Sequence, residues 1–259
     1  MNTNLSSTAP SQLETDCLVV VVLDRGESDG HEKDAGKQDK PAPSVECADP
    51  AVREAAHDVI SSGEVTGKMF ETTLLHHPAG LKAKRLLLIG GGKAKHFTAA
   101  ELRKLAGAAV RTLKAKSIRS FAFALPESSV AAVDGVQAIV EGAFIGNFDP
   151  DYYKSDRKDQ KIDALTIVAH KDLKALEGAM QVGRIVAESQ NFTRDLVNEP
   201  SNLMTPTILA DRAKKMAAEV GLSCEAYGAD KIKALKMGAF WGVAQGSDEP
   251  PALIVLRYD

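Results

Sequence analysis

Four short segments of nearly unbroken apolar residues punctuate the chain, at 18–23, 85–89, 121–125 and 165–169. Each has strand length and lacks the alternation of a half-exposed strand, so all four are predicted as strands covered on both faces. Between them the period becomes helical. Residues 98–116 carry Leu102, Leu105, Ala109 and Leu113 at spacings of three and four, and Thr98 with Glu101 forms a capping box that satisfies free backbone donors at the start. Residues 129–144 repeat the pattern with Val133, Val136, Ile139 and Val140. Strands alternating with helices require crossover connections, which predicts a mostly parallel sheet flanked by helices, and residues 1–171 are read as one α/β domain.

Two stretches depart from this rhythm. Residues 24–50 hold eight acids and four bases with repeated Gly and Pro and few apolar side chains, and are read as a disordered or weakly ordered insertion. Residues 172–198 carry a long helical pattern through Ala179, Val182, Ile185, Val186, Phe192 and Val197, and are assigned to a linker helix ending at Asn198-Glu199-Pro200. Thr205-Pro206 then opens another helix, a hydroxyl cap before proline, which runs to Val220 and stops at Gly221. A strand at 223–227, a small helix near 231–236, a glycine-rich passage and a strand at 253–258 follow. Residues 199–259 are too few for a core of their own and are read as the incomplete start of a second α/β domain.

Composition narrows the function classes. With 32 basic and 35 acidic side chains the formal charge is −3, an ordinary globular composition whose length allows one large or two modest domains. The longest apolar run falls far short of the roughly 20 residues that span a bilayer, and residues 1–15 lack a secretion signal's pattern. Cys17, Cys47 and Cys224 are odd in number and widely spaced, so neither a disulfide framework nor a cysteine zinc site is expected. A reducing, cytoplasmic location is the expectation.

Candidate chemistry is sparse. The strand at 86–89 runs into Gly90-Gly91-Gly92-Lys93 before the capped helix, where backbone donors suit a phosphate, yet the spacing matches no nucleotide fingerprint. A tight strand-to-helix turn is the favoured reading there. His76-His77-Pro78 offers two imidazoles on opposite faces of an extended segment with no supporting acid or Cys, and is read as one packed and one exposed histidine. Residues 81–120 contain eleven Lys or Arg against the single acid Glu101, a segment able to attract a nucleic acid, although only Phe97 accompanies the charges for stacking. Neither Gly-x-Ser-x-Gly nor His-Glu-x-x-His occurs.

The most informative stretch is Thr193-Arg194-Asp195-Leu196-Val197-Asn198-Glu199-Pro200-Ser201-Asn202, followed by Thr205-Pro206, Met237-Gly238-Ala239, Val243-Ala244-Gln245-Gly246-Ser247 and Glu249-Pro250-Pro251. It resembles the junction between the two domains of the leucine aminopeptidase (cytosol aminopeptidase, leucyl aminopeptidase) family. The resemblance extends more weakly upstream, through Gly67-Lys68, Glu71-Thr72, the strand and glycines at 86–92, Glu141-Gly142-Ala143-Phe144 and Asp151-Tyr152-Tyr153-Lys154. It covers nearly everything outside residues 1–15 and 24–50.

That resemblance implies a macro-like amino-terminal domain, a connecting helix and a metallopeptidase catalytic domain, commonly assembled as a homo-hexamer. It implies a hydrolase that uses two divalent ions, Mn or Zn, to release amino-terminal residues from peptides. The family's metal ligands lie on a Lys- and Asp-bearing glycine motif and an Asn-Thr-Asp-Ala-Glu-Gly-Arg motif, both absent from these 259 residues. The superficial echo at Asn147-Phe148-Asp149 lacks the glycines and sits in the wrong domain. No catalytic, cofactor-binding or metal residue is therefore carried over, while Asn198, Pro200, Asn202 and Thr205 are read as structural. The expectation is the amino-terminal portion of a leucyl aminopeptidase, truncated and inactive alone. The alternative is a nucleic-acid or nucleotide-binding module using segment 81–120, by weak DNA binding, or the turn at Gly90, Gly91 and Gly92.

Overall fold

A computed structural model describes residues 1–26, 41–126, 130–156, 160–170 and 173–258. They form two compact units, Met1–Asn191 and Phe192–Asp259. In the first unit the chain runs through β1 (Asn2–Ser6), β2 (Leu18–Asp24), β3 (Ser44–Val45), α1 (Pro50–Ser61), β4 (Thr72–His76), β5 (Arg85–Lys93), α2 (Ala99–Ala115), β6 (Ser120–Ala124), α3 (Ala132–Asn147), β7 (Ala164–Val168) and α4 (Leu173–Asn198), the last crossing into the second unit.

The sheet order is β1-β7-β6-β2-β5-β4, with β3 beside the end of β2. The four predicted strands are its centre. They pair in parallel, as does β1 with β7, while β4 and β3 are antiparallel additions. Continuous apolarity in β2 has the expected cause: Leu18, Val20 and Val22 point to one core, Val19, Val21 and Leu23 to the other, and all are fully buried. The first core contains Val52 and Ala56 of α1; the second receives Leu102, Leu105 and Leu113 of α2 and Val136, Ile139 and Val140 of α3. Each such side chain contributes roughly 1.5–3 kcal/mol by leaving water. Helices α2 and α3 approach closely because Gly142 lacks a Cβ, which would otherwise run into the Arg103 carbonyl.

Three expectations need correction. Residues 44–49 of the supposed 24–50 insertion are ordered: β3 completes a ladder on β2, Glu46 and Cys47 are buried, and Asp49 caps α1. The acids there are structural because Glu46 is neutralised by Arg25 at 2.9 Å and accepts from Ser44 at 2.8 Å, while Asp49 accepts from the Ser11 and Ala51 amides. Residues 27–40 of that stretch lie outside the described residues. In α4 the buried stripe is Leu176, Ala179, Gly183 and Ala187, whereas Val182, Ile185 and Val186 are exposed. Gly183 sets this face, since a Cβ there would lie 2.7 Å from the Gln137 carbonyl oxygen of α3. Val133 is likewise half-exposed, one turn before the buried part of α3.

The second unit continues with α5 (Pro206–Val220), β8 (Ser223–Tyr227), α6 (Ala229–Ala234), α7 (Gly238–Ala244) and β9 (Leu253–Arg257). Thr205 caps α5 by accepting from the Ile208 amide, and Gly221 ends it in the left-handed region, as the sequence predicts. Strands β8 and β9 form an antiparallel pair. Among the described residues, its buried apolar side chains are Ala210, Ala217 and Ile232 alone.

Candidate functional site

In an open α/β sheet, ligands bind beyond the carboxyl ends of strands where successive crossovers leave in opposite directions. That place here is the end of β2. The chain goes from β2 to β5 on one side and returns by α2 to β6 on the other, with α1 and α2 on opposite faces. The glycine run lies against it, but not as the predicted turn. Strand β5 continues through Lys93, a short 3-10 turn follows at Ala94–His96, and α2 begins only at Ala99.

Residues 67–71 of the chain itself cover the ends of β2 and β5 there, with Gly67 against Leu23 and Asp24 and Lys68 over Gly90. The Phe70 amide donates to the Gly90 carbonyl at 2.9 Å, the Gly90 amide to the Glu71 carbonyl at 2.8 Å, and the Gly92 amide to the Gly67 carbonyl at 2.8 Å. The Glu71 carboxylate folds back to accept from the Thr66 and Gly67 amides at 2.7 and 2.9 Å and from the Thr66 hydroxyl. Glycine is needed at Gly90 because a Cβ would collide with the Lys68 carbonyl. At Gly91 a Cβ would stand 2.6 Å from Leu23 Cδ2 and 2.9 Å from the Phe97 ring. The Gly90 and Gly92 donors that suggested a phosphate seat are thus spent on backbone carbonyls, and the nucleotide alternative has no support at this position. Of this plug, spacing analysis singled out only the glycines. Gly67, Lys68 and Glu71 were visible through resemblance, and Thr66 carried no signal.

The histidine pair is also corrected. His76 ends the edge strand β4 and His77 adopts φ 49°, and both are exposed. Among the described residues no group of three or more His, Cys, Asp or Glu could hold a metal ion.

The basic segment 81–120 does not assemble into one face. Arg85 and Lys93 stand at opposite ends of β5, about 26 Å apart at about 3.3 Å per residue. Acids meet three of the bases: from outside the segment Asp16 pairs with Lys84 at 2.7 Å and Glu141 with Arg103 at 3.1 Å, and within it Glu101 pairs with Lys104 at 3.4 Å. Arg119 donates to the Lys161 carbonyl. Hydrogen bonds from Lys84 and Ser120 hold the Asp16 carboxyl below its ordinary value, against a smaller opposing effect of burial. Lys114 is pulled down by burial, against the opposing attraction of Asp149 and Asp151. The reading as a nucleic-acid surface has no support in this arrangement.

In the second unit the junction residues hold the chain reversal after α4. Arg212 of α5 reaches back to Glu199 at 2.7 Å and Asp195 at 3.4 Å, and the Leu203 amide closes a turn on the Pro200 carbonyl. Helix α7 and the following segment border a mostly apolar groove of about 410 Å³, lined by Pro206, Phe240, Val243, Ala244, Pro251 and Ala252 together with Ser247 and Glu249. Lys233 lies over the Trp241 ring, 3.9 Å from its centre. No helix among the described residues is long and apolar enough to cross a membrane.

These two units correspond to two family models, in chain order. The N-terminal domain of the cytosol aminopeptidase family matches residues 20–157, and the catalytic domain of that family matches residues 191–259. The probable cytosol aminopeptidase of Koribacter versatilis is 49% identical over all of this chain and 52% of its own length. The cytosol aminopeptidase of Pseudomonas aeruginosa is 36% identical over 98% of this chain and 50% of its own. Among solved structures, a mutant of tomato leucine aminopeptidase superposes with a TM-score of 0.79 at 25% identity, covering 99% of this chain and 50% of that one. The bottromycin maturation enzyme BotP, in complex with Mn, gives 0.68 at 25% identity, covering 95% and 45%. The chain spans about half the length of the curated relatives it matches. On sequence along its whole length, and on a fold shared with leucine aminopeptidase, the chain belongs to the cytosol aminopeptidase family.

Proposed function

We propose that this chain acts as the amino-terminal part of a cytoplasmic leucyl aminopeptidase, a hydrolase releasing amino-terminal residues from peptides. The observation that carries this reading is the ordered match to both family models, with relatives that align along the whole chain and extend to about twice its span. In such an enzyme two divalent ions, Mn or Zn, bind and activate water and polarise the scissile carbonyl. The residues described here do not fit a two-metal centre, since no three potential ligands gather, and no catalytic step is assigned to them. Their part is structural: a sheet domain, the helix at 172–198 and the first elements of the catalytic domain from 199 onward. Assembly as a homo-hexamer belongs to the same proposal.

The test is hydrolysis of a leucine amide by purified 1–259 with Mn²⁺ or Zn²⁺ added. The expected result is no turnover, because the carboxylates needed to hold two ions are not gathered. Metal-dependent turnover that follows the protein through purification would overturn this assignment. Sedimentation velocity addresses the hexamer independently.

A further inference from the structure

A cavity of about 580 Å³ lies within the first unit, between α1 and the segment 42–48 that carries β3. Small-molecule sites occupy roughly 300–1,000 Å³, so it has room for an organic ligand as well as water. Every residue lining it belongs to the described stretches. Helix α1 contributes Arg53, His57 and Ile60, spaced by four and three so that they share one face. The other segment contributes an apolar wall of Ala42, Pro43, Val45 and Ala48. Beside that wall Arg25, Ser44 and Glu46 are bonded to one another.

The two guanidinium groups in this lining differ in what they have left to offer. Arg25 is matched: Glu46, whose side chain is 3% exposed, accepts from it at 2.9 Å and from the Ser44 hydroxyl at 2.8 Å, so the pair is neutral and repels no second anion. Arg53 has no acid partner among the described residues. Its Nε donates to the Cys47 carbonyl at 2.7 Å, and its two terminal nitrogens donate to nothing there. That one bond fixes the plane of the guanidinium and leaves a two-nitrogen fork, the shape that takes a carboxylate through two parallel hydrogen bonds. Holding the fork in advance lowers the entropy lost when a ligand arrives. His57, one turn along, meets Asp58 through Nδ1 at 3.4 Å and keeps Nε2 without a partner among the described residues. We infer that this cavity binds a small organic carboxylate with an apolar body, its head on the Arg53 fork beside His57 and its body along Pro43, Val45, Ala48 and Ile60. The inference is independent of the peptidase reading, since the site lies wholly in the sheet domain.

The experiment titrates the full 1–259 chain with hexanoate by isothermal calorimetry, beside three probes that each lack one feature: acetate has the head without the body, hexylamine the body with the opposite charge, and inorganic phosphate a different anionic head. Hexanoate is expected to bind saturably at one site per chain, and each of the others to bind about tenfold more weakly or worse. Arg53→Gln should weaken hexanoate by about tenfold or more, Arg53→Lys should fall between because it keeps the charge and loses the fork, and Arg111→Gln on α2 should bind like wild type. Circular dichroism checks that the variants are folded. Should Arg53→Gln fail to fold, the wild-type chain still decides: hexanoate should slow modification of Arg53 by phenylglyoxal, read by mass spectrometry, and leave Arg111 unaffected. Hexanoate heats that do not saturate by about 10 mM, equal binding by a folded Arg53→Gln, or no protection of Arg53 overturns the site. Hexylamine, acetate or phosphate binding as tightly as hexanoate overturns the ligand class.

Discussion

At the scale of single residues, several side chains here do the opposite of what their chemical type suggests. Cys17 is a thiol at the head of the central strand, and burial pushes it up to about 12, so the nucleophilic thiolate is absent at neutral pH. Iodoacetamide at pH 8 should therefore label the half-exposed Cys224 in the native protein while the buried Cys17 and Cys47 react only on unfolding, as mass spectrometry of quenched samples can show. Asp49 is a structural acid. Partial burial raises its carboxyl, but hydrogen bonds from Ser11, Ala51 and Val52 prevail and leave it below the ordinary 3.8. A carboxyl lowered by folding stabilises the protein above its unfolded value, and that contribution disappears as pH falls through the folded value. Asp49→Ala should cost about 1 kcal/mol near pH 7 in urea unfolding and flatten the acid loss of stability below about pH 4. Gly90 has no room for even a methyl group: Gly90→Ala should destabilise by about 3 kcal/mol, because the atom it meets is the Lys68 backbone carbonyl rather than a movable side-chain tip.

At the scale of elements, legibility followed burial. Strands β2, β5, β6 and β7 are apolar along nearly their whole length because both faces are covered, and helices α2 and α5 carry capping residues that mark their starts. What stayed hidden had weaker composition. β1, Asn-Thr-Asn-Leu-Ser, is held by its parallel ladder to β7 at the sheet edge rather than by apolar side chains, and β4 is the opposite edge. Helix α1 begins with Asp49-Pro50, directly inside a stretch whose acids and prolines read as unstructured. The glycine run looked like a turn because its real partner, residues 65–71, is distant in sequence and recognisable only by its hydrogen bonds. The Arg103–Glu141 pair between α2 and α3 was equally invisible to spacing. Glu141 is almost fully buried and also accepts from Gln137 at 2.8 Å, so Arg103→Met should cost about 1–3 kcal/mol by leaving one carboxylate oxygen short of its donor. Urea unfolding at pH 7 checks it, with Glu141→Gln the milder partner variant.

At the scale of the whole molecule, the two units differ in kind. The first holds both hydrophobic cores, and its second core includes Leu176 and Ala179 from the start of α4. A chain ending at residue 191 should therefore be more stable to heat than one ending at 171, which forfeits those two side chains, and more soluble than 1–259, which adds the thinly buried second unit. Limited proteolysis of 1–259 should cut first beyond Asn198. Early cuts within the sheet, or equal melting of the 171 and 191 chains, would refute this account of where stability resides.

The plug at residues 65–71 places this sheet outside the usual use of its architecture. A fold that ordinarily serves as a receptor has the ends of β2 and β5 covered from within, so that side of its mouth is a joint rather than a vessel. For an engineer, that makes it a concealed vacancy: replacing 65–71 by a shorter polar loop would free the Gly90 and Gly92 amides, which now donate to the Glu71 and Gly67 carbonyls on the β4 side of β5. Those freed donors could then be offered to a small anion, and the cost of unsealing them would measure how tightly the stopper is held.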